Sequence, residues 1–225
     1  MPSSATPRHL FAVTASLICL WSTAVACATV PGDPVQTLRA GSTTPTDSPA
    51  PSSPSLRQTD DAGRVLPFEN TFPNRWSINN DGSTYEPCTE IPADVIRSFG
   101  LDPGSVSDVA ASDFQTARGC EWTLREDRRS TISQFVGNIL RPEGGLTGHK
   151  ELNRAGTTWY PDTEVDGRRV LVESMMPGDC TVYIRSGDAV VITSVTKSGF
   201  ARPPVDELCK TAISFLQATV RQIPS

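Results

Sequence analysis

Four cysteines, Cys88, Cys120, Cys180 and Cys209, lie downstream of an N-terminal export signal, and that combination constrains the fold more than any other feature of the chain. An exported protein matures under oxidising conditions, where an even number of cysteines reads as a disulfide framework. The signal is read from residues 1–26. Arg8 is the only Lys or Arg there, residues 10–21 are apolar apart from Thr14 and Ser16, and Ala24-Val25-Ala26 leads directly into Cys27. An apolar run of about a dozen residues is short for a bilayer span, which takes roughly 20. The segment therefore reads as a cleaved signal, and Cys19 leaves with it.

Cys27 follows small residues in the manner of a bacterial lipoprotein signal, whose cysteine is acylated and becomes the new N-terminus. Ala24 stands where such signals usually carry Leu, and Ala24-Val25-Ala26 also satisfies an ordinary signal peptidase. Both readings stay open, with lipidation at Cys27 preferred over plain secretion. On the preferred reading the membrane is a partner through the lipid alone.

Four domain cysteines allow three connectivities. Cys88–Cys120 with Cys180–Cys209 is favoured, because each pair is near in sequence and joins a helical region to a strand region. Closing loops of about 30 residues contributes on the order of 3 to 4 kcal/mol each in the chain-entropy account. A metal centre built from the four thiolates is disfavoured, since there is no Cys-x-x-Cys spacing and only one histidine, His149, in the exported chain.

Past residue 26 the chain has 19 Lys and Arg against 25 Asp and Glu, a mildly acidic balance. A nucleic-acid partner would want a basic excess to displace counterions, so no nucleic-acid role is expected. The same balance offers no basic surface for an anionic membrane. Residues 27–66 are rich in Pro, Ser, Thr, Gly and Ala without apolar periodicity, so this stretch is expected to be a disordered tether. About 40 such residues reach roughly 35 Å in root-mean-square terms. Residues 67–225 are then the size of one domain.

Within that domain, Pro92, an apolar face of Ile91, Val95, Ile96 and Phe99, and a stop at Gly100 predict a short helix. Strands are predicted at 121–124 and 131–140, followed by a Gly-rich loop at 142–148. Asp166-Gly167 marks a tight hairpin returning through 169–174, and 181–185 and 189–196 complete an antiparallel meander. Val205, Leu208, Cys209, Ala212, Ile213, Leu216 and Val220 recur at helical spacing, with Asp206 and Glu207 suiting the positive end of the dipole. The expected fold class is α+β: an antiparallel sheet with a short N-terminal helix and a C-terminal helix packed on one face, braced by two disulfides.

Trp76, Asn79-Asn80-Asp81-Gly82-Ser83-Thr84-Tyr85-Glu86-Pro87-Cys88, Ile91-Pro92, Gly100-Leu101-Asp102-Pro103 and Arg118-Gly119-Cys120-Glu121-Trp122 together carry a family resemblance. The chain resembles actinobacterial lipoproteins grouped as domain-of-unknown-function family 3558, over most of residues 70–222, with Gly178-Asp179-Cys180 fitting the second half. The resemblance implies an envelope-anchored exported domain and brings no catalytic residues with it.

Reading the residues for chemistry gives little. His149 has no Gly-x-Ser-x-Gly elbow to serve, and is expected to be a solvated loop residue. The loop 142–148 resembles a phosphate cradle, but His149 precedes Lys150 where a P-loop needs Gly, and Glu151 follows where Ser or Thr is needed. No cofactor motif is present. Glu121, Asp162, Glu164 and Glu173 are candidates for a paired-carboxylate hydrolase, which needs two acids roughly 5 to 9 Å apart, and the sequence does not rank them. Trp159, Tyr160 and Trp76 are the candidates for a contact surface that stacks on sugar or holds an apolar ligand. The expectation is a non-enzymatic binding or accessory module for an envelope lipid, glycan or protein, with a secreted carboxylate-dependent hydrolase as the alternative.

Overall fold

The computed structural model describes residues 56–114 and 117–225. The signal, the lipidation candidate Cys27 and most of the expected tether lie outside the described residues. The boundary expected at residue 66 falls too late. Thr59 already bridges to Val65, and both Asp60 and Leu66 are buried. Asp60 accepts from the backbone N–H of Ala62 and Arg64 and from the Thr89 hydroxyl, which ties this turn to the domain. Its polar composition conceals a side chain used to organise its own backbone.

The helices are α1 (Pro87–Glu90), α2 (Ala93–Ser98), α3 (Gly145–Leu152) and α4 (Val205–Thr219). The strands are β1 (Ser107–Asp108), β2 (Arg118–Thr123), β3 (Thr131–Asn138), β4 (Thr158–Trp159), β5 (Thr163–Val165), β6 (Arg168–Ser174), β7 (Asp179–Ser186) and β8 (Ala189–Thr196). They make one eight-stranded antiparallel sheet in the order β1-β2-β3-β8-β7-β6-β4, with β5 also pairing β6. The predicted meander is β6-β7-β8. Its opening hairpin turns on Asp166 and Gly167 at φ of 52° and 73°, the left-handed pair of a type I′ turn that Asp-Gly supplies at low cost.

Strand alternation divides the sheet into two faces. On the first, Val170, Val172, Val182, Ile184, Val191 and Val195 pack with Trp122 and Ile132 against Leu208, Ala212, Phe215 and Leu216 of α4. Phe99 at the end of α2 meets the Phe215 ring edge-on at 5.0 Å. Both disulfides join a helix to this sheet: Cys88 of α1 to Cys120 of β2, and Cys209 of α4 to Cys180 of β7. The α+β class and the pairing are therefore as the sequence predicts.

The second face departs from expectation. Residues 142–148 are not a loop: a 3-10 turn at Pro142–Gly144 leads into α3. Gly144, Gly145 and Gly148 argue locally against a helix. Packing overrides them, because Leu146 is buried against Leu171 and Val190 while His149, three residues on, stacks on Tyr183 with ring centroids 4.9 Å apart. Helices thus cover parts of both faces.

Candidate functional site

Beneath the short N-terminal elements lies a buried ionic cluster. Arg75 and Glu86, neither with exposed side-chain area, make a two-point pair, Nη1 to Oε2 at 2.8 Å and Nη2 to Oε1 at 3.1 Å. The Arg75 Nε donates to Asp108 at 2.8 Å. Arg118 Nη1 donates to Glu86 Oε2 at 3.1 Å and to the Tyr85 carbonyl at 2.8 Å. Its Nη2 donates to the carbonyls of Asn80 and Ser83. Two guanidinium groups and two carboxylates balance, as buried charges must. Burial raises the Asp108 carboxyl, and the Arg75 charge offsets only part of that. The cluster fixes residues 75–86 on the sheet.

The next consequence of that fixed segment is a cleft. Residues 78–82 are brought to the tip of β3, where Asn138 acts as a clasp. Its Oδ1 accepts from Gly82 N–H at 2.9 Å, and its Nδ2 donates to the Ile78 carbonyl at 2.6 Å and to Asp81 Oδ1 at 2.7 Å. Asp188, in the turn between β7 and β8, donates its N–H to the Gly82 carbonyl. Between this clasp and α3 opens a cleft of about 770 Å³ on the second face of the sheet. That volume is within the range of small-molecule sites.

Its floor is Phe135, Val190 and Ile192, with Gly137 leaving space where a side chain would fill it. Ile78, Leu140 and Leu152 line it while remaining 83%, 84% and 43% exposed. Apolar side chains of that size are seldom left together in water on a folded domain. The polar lining is Asn79, Asn138, Asn153, Asp81, Asp188 and His149, with no Lys or Arg among the described residues. Burial depresses the His149 imidazole, which keeps it neutral near pH 7. Of its two carboxylates, Asp188 pairs with Arg185 at 3.7 Å and Asp81 accepts from Asn138.

The candidates named from sequence are scattered. Trp159 packs on Tyr183 with Lys150 over its ring, and its Nε1 is buried without a partner. Tyr160 turns to the opposite face and joins the first core. Trp76 lies between the guanidinium groups of Arg57 and Arg75, 4.2 and 4.6 Å from its ring centroid. The three aromatics do not share a surface.

The acids are likewise apart. Registered pairs run Glu121–Ser133–Ser194–Thr181–Glu173 across the sheet, so Glu121 and Glu173 stand four strand spacings apart, about 19 Å. Glu173 is buried, which raises its carboxyl, and the Tyr183 hydroxyl that donates to it offsets only part of this. For Asp162, burial opposes the charge, but the hydrogen bonds and charges of Lys150 and Arg169 hold the carboxyl below the usual range. Glu164 is exposed on β5. None of these four lines the cleft. His149 does line it, as a half-buried helical residue rather than a solvated loop one. The remaining cleft residues come from five separate segments, and only their convergence in space identifies them.

The comparisons with known proteins agree with the motif reading. The family described as a protein of unknown function, DUF3558, matches residues 22–222. No curated protein matches. Among solved structures, the solution structure of cyanobacterial PsbP (CyanoP) from Synechocystis sp. PCC 6803 is similar at a TM-score of 0.30 and 8% identity, covering 56% of this chain and 86% of that one. A likeness that distant carries no functional weight. Two disulfides mark the protein as one of an oxidising, exported environment, and no described helix is long and apolar enough to cross a membrane. With the motifs around Cys88 and Cys120 forming the buried cluster, and the match spanning nearly the whole chain, the protein belongs to the DUF3558 family.

Proposed function

We propose that this chain is a non-enzymatic binding module of the cell envelope, held at the membrane by an acyl group on Cys27 and presenting the cleft on the second sheet face to a small ligand. The observation that carries the reading is the cleft itself, with its apolar floor and its exposed rim of Ile78 and Leu140. Its lining, apolar with three Asn and no Lys or Arg among the described residues, favours a neutral or amine-bearing molecule with an apolar body, such as a neutral lipid or a glycolipid. The export signal and the cysteine that follows it support the anchor.

Thermal unfolding with fractionated envelope extract tests this. A ligand at 100 times its dissociation constant stabilises the folded state by about 2.7 kcal/mol. An organic-soluble fraction should therefore raise the melting temperature of the wild type and leave a Leu140→Arg, Ile192→Arg variant unmoved. Equal responses of both proteins, or none from either, would remove the cleft from the account.

A further inference from the structure

We propose that the opposite end of the sheet, built from loops 125–130, 175–178 and 197–203, is a docking surface for an anionic phospholipid bilayer. The three loops are separate in sequence but stitched together. Lys197 N–H donates to the Gly178 carbonyl at 2.7 Å, and Arg202 Nη1 donates to the Pro177 carbonyl at 2.7 Å. Ser198 donates through its N–H to Ser130 Oγ at 3.0 Å and through its hydroxyl to the Arg129 carbonyl at 2.8 Å. They form one continuous surface.

That surface carries apolar side chains with nothing over them. Met175 and Met176 are 64% and 63% exposed at the β6–β7 turn, and Phe200 is fully exposed between β8 and α4. The same loops carry Arg125, Arg128, Arg129, Lys197 and Arg202 against Glu126, Asp127 and the adjoining Asp179, whose carboxylate accepts from the Met175 and Met176 N–H groups. The chain as a whole has a formal charge of −5, so the fold collects a local cationic excess that overall composition conceals. Asp127 is occupied within the loop by Ser130, the Arg129 N–H and, at 3.8 Å, the Arg129 guanidinium, which leaves Arg125, Arg128 and Lys197 as the main cations of the surface.

The pattern favours a bilayer over a protein partner. Apolar side chains on separate turn tips can each enter the headgroup region without a complementary pocket, while flanking cations reach lipid phosphates. The geometry also suits the cleft. Asp188 and Asp81 lie at the far end of β8, and eight strand residues span about 26 Å, so docking by this end leaves the cleft mouth clear of the lipid. The surface is independent of the acyl group at Cys27, and its test removes that group.

The chain from residue 27 onward, carrying Cys27→Ser, is centrifuged with vesicles of equal parts phosphatidylglycerol and phosphatidylcholine, and with vesicles of phosphatidylcholine alone. Binding is expected to the anionic vesicles, and to weaken at least tenfold when salt rises from about 0.1 to 0.5 M. Met175→Ser, Met176→Ser, Phe200→Ser should lose about tenfold or more in affinity with the melting temperature intact, whereas Val65→Ser, an exposed apolar side chain outside these loops and the cleft, should bind like the parent. Equal binding to both vesicle types overturns the proposal, as does full retention by the triple serine variant. That second result would indicate a simple polyanion contact.

Discussion

Arg75 and Glu86 meet through two parallel hydrogen bonds, at 2.8 and 3.1 Å, with neither side chain exposed to solvent. The pair draws in Arg118 and Asp108 and anchors the segment that frames the cleft. Buried charges of this kind cost desolvation and repay it only while every partner is present. Glu86→Gln would leave two guanidinium groups facing the single carboxylate of Asp108. The expected loss is about 3–5 kcal/mol, read by denaturant unfolding with both disulfides intact. A change below about 1 kcal/mol would mean that water reaches the cluster.

The two disulfides close loops of nearly equal length, with sequence separations of 32 and 29. Loop entropy alone gives each about 3–4 kcal/mol. Cys88 Sγ also lies 3.2 Å from Arg75 Nη2, so its removal disturbs the ionic cluster as well. Cys88→Ala, Cys120→Ala should accordingly destabilise more than Cys180→Ala, Cys209→Ala. Comparing unfolding midpoints checks the order, and equality would show that the cluster stands without the disulfide.

Gly119 sits where β2 presses on β3. A Cβ there would meet the Gln134 carbonyl oxygen at 2.2 Å and the Phe135 Cα at 2.4 Å. Gly119→Ala should cost about 1–3 kcal/mol or more, since backbone rather than a flexible side chain must yield. Gly144→Ala, which meets nothing within 4 Å, is the matched control and should be near neutral. Denaturation curves of the two variants decide this.

His149 is depressed by burial against Tyr183. In the unfolded chain it titrates near 6.5. As pH falls through that value the unfolded state takes the proton first, so stability drops with acidification below about 6.5. His149→Phe keeps a ring on Tyr183 and removes the titration. Its stability should vary less between pH 7 and 5 than that of the wild type, as measured by urea midpoints. Parallel pH profiles would contradict the placement of His149.

Much of the first sheet face was legible because it rests on periodic signals. The α4 stripe, the Asp166-Gly167 hairpin and the β6-β7-β8 meander all repeat local patterns of burial. The disulfide pairing was readable for the same reason, through nearness and element type. What failed was whatever depends on tertiary contact. The helix α3 is glycine-rich and exists because Leu146 and His149 find the sheet. Arg75, Glu86 and Arg118 look like solvated charges in a linear string and are the most buried ionic groups of the domain. Asp60 and Leu66 sit in a polar stretch that reads as tether. The cleft residues Ile78, Phe135, Leu140 and Val190 carry no common motif, while the conspicuous aromatics Trp76, Trp159 and Tyr160 diverge to three different surroundings.

A ligand held in the cleft between α3 and the 78–82 segment should travel with the protein when it leaves the envelope. Native mass spectrometry of the protein released gently from its own envelope tests it most directly, alongside the Leu140→Arg, Ile192→Arg variant released in the same way. A filled cleft adds a few hundred daltons to the wild type beyond any acyl group on Cys27, of neutral or amine-bearing chemistry, and nothing to the variant. A bare wild-type domain, or an adduct that persists unchanged on the variant, would contradict it.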